Sequence, residues 1–159
     1  QASEQRRTFK LDVVVKEILH TLSPSLKRLP HRIEVNIAPG ITMDSQPGAL
    51  GRVLINLVNN AYLHAFEGCT DGVLTISAKS EAQSVTLVVA DNGIGMAPEL
   101  LGKVFDPFFS TKIGKGGTGL GMAIVQNLVT KALGGRITMT STVGKGTQVE
   151  MVLPLVSIA

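Results

Sequence analysis

Ser84-Val-Thr-Leu-Val-Val-Ala-Asp91-Asn-Gly93-Ile-Gly95-Met96 opens as a valine-rich strand and ends in a segment that cannot prolong one. Residues 84–90 pair in this reading with a second strand at 73–79, across a turn near 80–83. Asn-Gly is a strong turn signal, so regular structure breaks from Asp91 to Gly95. A carboxylate fixed at a strand end can accept a hydrogen bond from an exocyclic amino group. Two glycines beside it let backbone approach a flat ring and adopt positive φ. An ordinary turn is the plainer account of the same residues.

Toward the N-terminus, residues 9–11 alternate briefly like an edge strand. Asp12 stands in N-cap position before a periodic helix carrying Val14, Val15, Ile18, Leu19, Leu22, Leu26 and Leu29. Pro24 should kink or interrupt it. Residues 32–37 alternate strictly as a half-buried strand, and Pro39-Gly40 turns into a short strand at 41–43. Pro47 suits the first turn of a long helix to about Phe66, striped by Leu50, Leu54, Leu57, Val58, Ala61 and Ala65. Toward the C-terminus come a short helix at 97–104, a glycine- and lysine-rich stretch at 105–119, and a helix at 120–133 capped by Gly134-Gly135. Strands at 136–141 and 147–153 finish the pattern. The fold class is α/β: a two-layer sandwich whose mixed, mostly antiparallel sheet of about five strands is covered on one face by about three helices.

The chain has 159 residues, 44% of them apolar and 17% charged, which fits one packed domain over 1–159 with its core at about 8–155. Aromatic residues are scarce at 4%, so Val, Leu, Ile and Met must build that core. The one cysteine, Cys69, excludes an internal disulfide and suits a reducing compartment. We read it as a small, buried or half-buried residue. No apolar run approaches the roughly 18–20 residues that cross a bilayer. Gln1 to Lys10 is polar and basic, so no signal peptide is expected, and a start without Met leads us to expect a piece of a longer chain. A net charge of +3, with its cations scattered, gives no reason to expect a nucleic-acid partner.

Three further patches carry chemistry. Asn56 and Asn60 are four apart on the second helix and share a face away from the apolar stripe. Their amide oxygens are hard, neutral ligands of the kind Mg²⁺ accepts, although a merely polar helix face would look the same. Asn59 should point elsewhere. Val104-Phe-Asp-Pro-Phe-Phe109-Ser-Thr-Lys112 holds three of the chain's five phenylalanines. They form an anchor beside something mobile, or a satellite core cluster under a loop. Gly114-Lys-Gly-Gly-Thr-Gly-Leu-Gly-Met122 opens a helix, where backbone amides and the helix dipole make an anion site. It follows no strand and leads into no βαβ unit, which excludes a Rossmann site. The Gly-Lys-Ser/Thr ending of a Walker A loop is absent too.

Taken in this order, Asn56 to Ala61, Asp91 to Gly95, Phe105 to Phe109, Gly117 to Gly121 and Gly144 to Thr147 resemble the asparagine, glycine and phenylalanine boxes of sensor histidine kinases. Those ATP-binding catalytic domains belong with gyrase, large heat-shock chaperones and mismatch-repair ATPases in a superfamily sharing the Bergerat fold. The resemblance runs from about Thr8 to Leu155. It implies that Asp91 hydrogen-bonds the adenine amino group, with Gly93, Gly95 and Met96 around the ring. It implies that Asn60, with Asn56, coordinates Mg²⁺ between the phosphates of ATP. Residues 105–119 would be a lid, bringing Phe109, Lys112 and Lys115 toward the nucleotide. Gly117, Thr118, Gly119, Leu120, Gly121 and Met122 would offer backbone amides to the phosphates. Thr147 would support Asp91 by its hydroxyl, directly or through water.

Two departures stand out. Many relatives carry a basic residue three positions after the second asparagine and an aromatic one next; here these are Leu63 and His64. Leu63 cannot neutralise phosphate, so either a lid lysine or His64 does so or the affinity is lower; His64 could also stack on adenine. In the gyrase and chaperone branches a glutamate four residues before the metal-binding asparagine activates water. Asn56 holds that place here and cannot take a proton at neutral pH. Glu67, seven residues past Asn60, is a poor substitute. The resemblance therefore implies a kinase, whose acceptor histidine lies on its own dimerisation domain. His20 lacks the acidic neighbour of that acceptor and His31 follows Pro30 before a strand; both read as structural or surface histidines. A downstream response regulator is the expected partner of a homodimeric full-length protein, with this domain monomeric when isolated. The domain itself would be cytoplasmic, and whether the whole protein is anchored in the inner membrane is left open. The alternatives are a non-catalytic nucleotide-docking module and an ATP hydrolase.

Overall fold

The computed structural model describes residues 5–26, 30–106 and 121–157. Among these, the strands are β1 Arg7–Lys10, β2 Arg32–Ile37, β3 Thr42–Ser45, β4 Val73–Ser80, β5 Ser84–Asp91, β6 Arg136–Thr142 and β7 Gly146–Pro154. The α-helices are α1 Leu11–Leu26, α2 Pro47–Asn60, α3 Pro98–Leu101 and α4 Gly121–Asn127. Five strands form one sheet in the order β2-β4-β5-β7-β6, parallel at β2–β4 and antiparallel elsewhere. This is the expected mixed α/β sandwich. The two short strands β1 and β3 lie outside that sheet and pair with each other as a separate ribbon.

Strand parity builds the core. Val85 pairs with Leu153, Leu87 with Met151 and Val89 with Val149, and all six are buried on the helix-facing side. The opposite face keeps Thr138, Thr140, Gln148 and Glu150 exposed. Helix α2 buries Leu50, Val53, Leu54, Leu57 and Val58, and packs against both α1 and α4. Each fully buried Val or Leu contributes about 1.5–3 kcal/mol. The exposed ion pairs Arg6–Asp44 and Arg32–Glu34 contribute at most about 1 kcal/mol each. Apolar burial therefore decides stability.

Local geometry departs from the sequence reading at the helix ends. Asp12 is not an N-cap: α1 begins at Leu11, whose N–H donates to Ile41 O at 2.9 Å, so Asp12 falls inside the first turn. Pro24 lies within α1 without ending it. Only the last turn follows it, so little of the hydrogen-bond ladder is lost. The second helix does run to Phe66, but its final segment, Ala61–Ala65, is a π turn closed by Phe66 N–H to Ala61 O at 2.9 Å. Phe66 and Tyr62 then reach the His31 ring, with centroids 4.5 and 5.4 Å away. A second π turn, Leu128–Ala132, follows α4. Leu29 and residues 107–120, which include most of the expected lid, lie outside the described residues.

Candidate functional site

The alternation that sends Val85, Leu87 and Val89 inward also sends Asp91, the last residue of β5, to the helix-facing side. Thr147 and Ser141, paired across β7 and β6, share that parity. One end of an otherwise apolar face is thus polar. Beside it opens a cavity of about 550 Å³, floored by Leu74, Val89, Met139 and Val149. Asn56 and Asn60 of α2 wall one side, continued by Leu63 and His64 on the π turn; Ile94, Met96, Leu100 and Val104 wall the other. Gly121 and Met122, at the start of α4, border the same space, and a methyl on Gly121 would stand 3.4 Å from Asn60 Oδ1. The asparagine pair, the acidic strand end and the end of the glycine run share one cleft.

Asp91 is held by main chain. Its Oδ1 accepts the Gly93 N–H at 2.9 Å and the Thr147 N–H at 3.2 Å. Burial pushes the carboxyl above its usual range, and these two bonds pull it partly back. The Thr147 hydroxyl pairs with Ser141 Oγ at 2.8 Å, so the contact from Thr147 to Asp91 runs through the backbone.

The two glycines of the loop are explained first by protein packing. A Cβ on Gly93 would lie 2.1 Å from Ala65 O, and Ile94 N–H bonds that same carbonyl at 2.8 Å. Gly95 has φ +71°, and its Cβ would lie 2.0 Å from Thr142 O. The loop is wedged between the π turn and the β6–β7 hairpin. Gly95→Ala should therefore cost about 2 kcal/mol or more, from left-handed strain plus overlap, and lower Tm by about 4–8 °C. Gly144, at φ +81° with open space around it, is the control. Its Ala variant should lose about half as much in the same thermal melts.

Asn56 Nδ2 donates to Arg52 O at 2.9 Å, one turn back, which fixes the amide and leaves its oxygen as the free end. Asn59, expected to point elsewhere, borders the cavity from an exposed position, as does Glu67. Phe109, Lys112, Lys115, Gly117, Thr118, Gly119 and Leu120 lie outside the described residues. His31 Nδ1 accepts the Gly72 N–H at 2.8 Å, which ties it to the fold, and His20 lies exposed on α1. Ser141, Met139 and Leu100 escaped the motif reading; the parity of β6 was the available signal for the first two. No cluster of three or more His, Cys, Asp or Glu that could hold a metal occurs among the described residues. The donors nearest the start of α4 are amide oxygens, a set that fits Mg²⁺ shared with phosphate and water and does not suit zinc.

Residues 45–157 match the family of histidine kinase-, DNA gyrase B- and HSP90-like ATPases, most of the chain. The chain belongs to this family. Within this ATPase family its likeness is to sensor histidine kinases. The sensor histidine kinase ZraS of Salmonella typhimurium is 39% identical over 155 residues, covering 95% of this chain and 32% of that protein. The catalytic domain of histidine kinase ThkA, solved nucleotide-free, superimposes with a TM-score of 0.83 at 24% identity over 96% of this chain and 97% of that one. Full-length ShkA, solved with AMPPNP, gives a TM-score of 0.80 at 25% identity over 94% of this chain and 31% of that one. This is an ATP-binding catalytic domain of the histidine-kinase type, and it spans about a third of the ZraS chain.

Proposed function

We propose that this ATPase-family domain binds ATP with Mg²⁺ and presents the γ-phosphate to a histidine on a separate helical dimerisation domain. The observation that carries this reading is the convergence of Asn60, Asp91 and the start of α4 on one cavity. Asp91 accepts from the adenine amino group, while Leu74, Val89, Met139 and Val149 cover the ring and keep water from it. Asn60 and Asn56 turn amide oxygens toward the phosphates. Mg²⁺ held there by Asn60 and Asn56 would supply neutralisation of phosphate charge. The N-terminal turn of α4 offers its dipole and its N–H groups to the same anion. The likeness to ShkA, solved with AMPPNP, supports the nucleotide assignment.

Transfer rather than hydrolysis is supported by the turn before Asn60, where no carboxylate stands among the described residues. Asn56 occupies the turn before Asn60 and cannot accept a proton. Asp91 is committed to the base end, and Glu67 stands exposed at the far end of the π turn. Phosphoryl transfer needs positioning and charge neutralisation above all, so an external nucleophile completes the site. We infer further that the whole protein is a homodimer handing its phosphate to a response regulator, with this domain in the cytoplasm. No helix among the described residues is long and apolar enough to cross a membrane.

The test combines this domain with the full-length protein's helical domain and radiolabelled ATP. Acid-labile, alkali-stable phosphate should appear on a histidine, with only slow phosphate release by this domain alone. Rapid steady-state release by the domain alone would favour a hydrolase. ATP binding without phosphohistidine would favour a docking module.

A further inference from the structure

Ser141 sits opposite Thr147 in the β6–β7 ladder, and its hydroxyl makes three contacts. It accepts the Met96 N–H at 2.8 Å, reaches Gly146 O at 3.0 Å and stands 2.8 Å from Thr147 Oγ1. A hydroxyl has one proton and two lone pairs. Met96 N–H can only donate and Gly146 C=O can only accept, so one order satisfies all three contacts. Ser141 gives its proton to Gly146 O, and Thr147 gives its proton to Ser141. The opposite order would press two oxygens together at 3.0 Å with no hydrogen between them.

This order fixes what Thr147 shows to the cavity it lines. Its single proton is spent on Ser141, so only lone pairs remain for a ligand or a bridging water. Asp91, its neighbour in the cavity, is an acceptor whenever ionised. The side chains at this end of the cleft therefore present acceptors alone. Such a surface suits an exocyclic amino group and opposes a carbonyl oxygen at the same ring position.

The geometry points to Ser141 as a positioning residue that sets nucleobase choice: by taking the Thr147 proton, it makes the base end of the cleft accept an amino group and reject a carbonyl. The inference rests on the ATP-binding reading above. It names a residue that does not line the cavity and acts only through Thr147 and the Met96 N–H.

ADP and inosine diphosphate differ at this edge of the ring by a C6 amino group and a bare N1 against a C6 carbonyl and an N1–H, and both can be titrated calorimetrically. The variants are Ser141→Thr, which keeps the hydroxyl, and Ser141→Val, which has nearly the same shape without it and suits a strand. In Ser141→Val the Thr147 hydroxyl regains a proton to donate. The preference for ADP over inosine diphosphate should fall about tenfold, while Ser141→Thr should keep the wild-type ratio. A merely structural role would weaken both ligands by the same factor in Ser141→Val. An unchanged ratio there overturns the inference and leaves ATP binding intact. Failure of the wild-type protein to bind either nucleotide overturns both.

Discussion

Asp91→Asn is expected to weaken ADP binding roughly ten- to a hundredfold, with the unliganded fold at least as stable as wild type at neutral pH. The affinity loss is that of a charged hydrogen bond in a partly buried site, about 1.5–3 kcal/mol. Asn keeps the shape, and its oxygen can still take the Gly93 and Thr147 N–H groups that Asp91 Oδ1 accepts. Its amide nitrogen would then meet the adenine amino group donor to donor. Stability should not suffer, because burial already raises the Asp91 carboxyl and the native state holds that charge at a cost.

The pH dependence follows with a definite sign. A carboxyl raised on folding binds its proton more tightly in the folded state than in the unfolded one. Its charge therefore destabilises the fold above the folded pKa, and that penalty vanishes below the unfolded pKa. Across this window, as pH falls, the stability gap between Asp91→Asn and wild type should close. Wild-type affinity should fall over the same window, because a protonated carboxyl no longer offers only acceptors. Melts and titrations of both proteins from about pH 8 to 4 check the two opposed trends. Parallel pH curves for the two proteins would mean that another group titrates.

Asn60→Ala should act at the other end of the ligand. Its expected signature is loss of the Mg²⁺ dependence of AMPPNP binding, with metal-free ADP binding changed far less. Phosphotransfer to the acceptor histidine should drop on the order of a hundredfold, the usual scale for removing one group that stabilises transferred charge. Alanine is a good helix former, so the last turn of α2 should survive. Titrations with and without Mg²⁺ check the claim. Equal losses for AMPPNP with metal and for ADP without it would assign Asn60 to structure.

Much of this was legible in the sequence, for reasons visible at particular residues. The pairing of 73–79 with 84–90 could be read because a short turn joins two strand-like runs, whereas the place of 147–153 on the other side of 84–90 could not. Asp91, read from sequence only as a strand end, lies two residues past Val89 and so shares its inner face. The spacing of Asn56 and Asn60 held because both precede the π turn. His64 follows Asn60 inside that turn, where the 3.6-residue period no longer predicts direction. Tyr62 and Phe66 pack on each other and on His31, about thirty residues earlier, and the second contact leaves no trace in the local sequence. The ribbon of β1 with β3 escaped for a related reason, since strand partners distant in sequence leave no periodic trace. Gly93 and Gly95 were marked for the room they would give a flat ring, whereas their close neighbours are Ala65 and Thr142 main chain, and only the fold shows that contact.

The most direct test of the central claim is an NMR titration with AMPPNP and Mn²⁺ in place of Mg²⁺. Paramagnetic broadening should be strongest at the Asn60 side-chain amide and the Gly121 backbone amide. The Gly93 and Thr147 amides, which hold Asp91, should shift yet stay comparatively sharp. Broadening centred on any other surface, or a sharp, unshifted Asn60 at saturating nucleotide, would contradict the account.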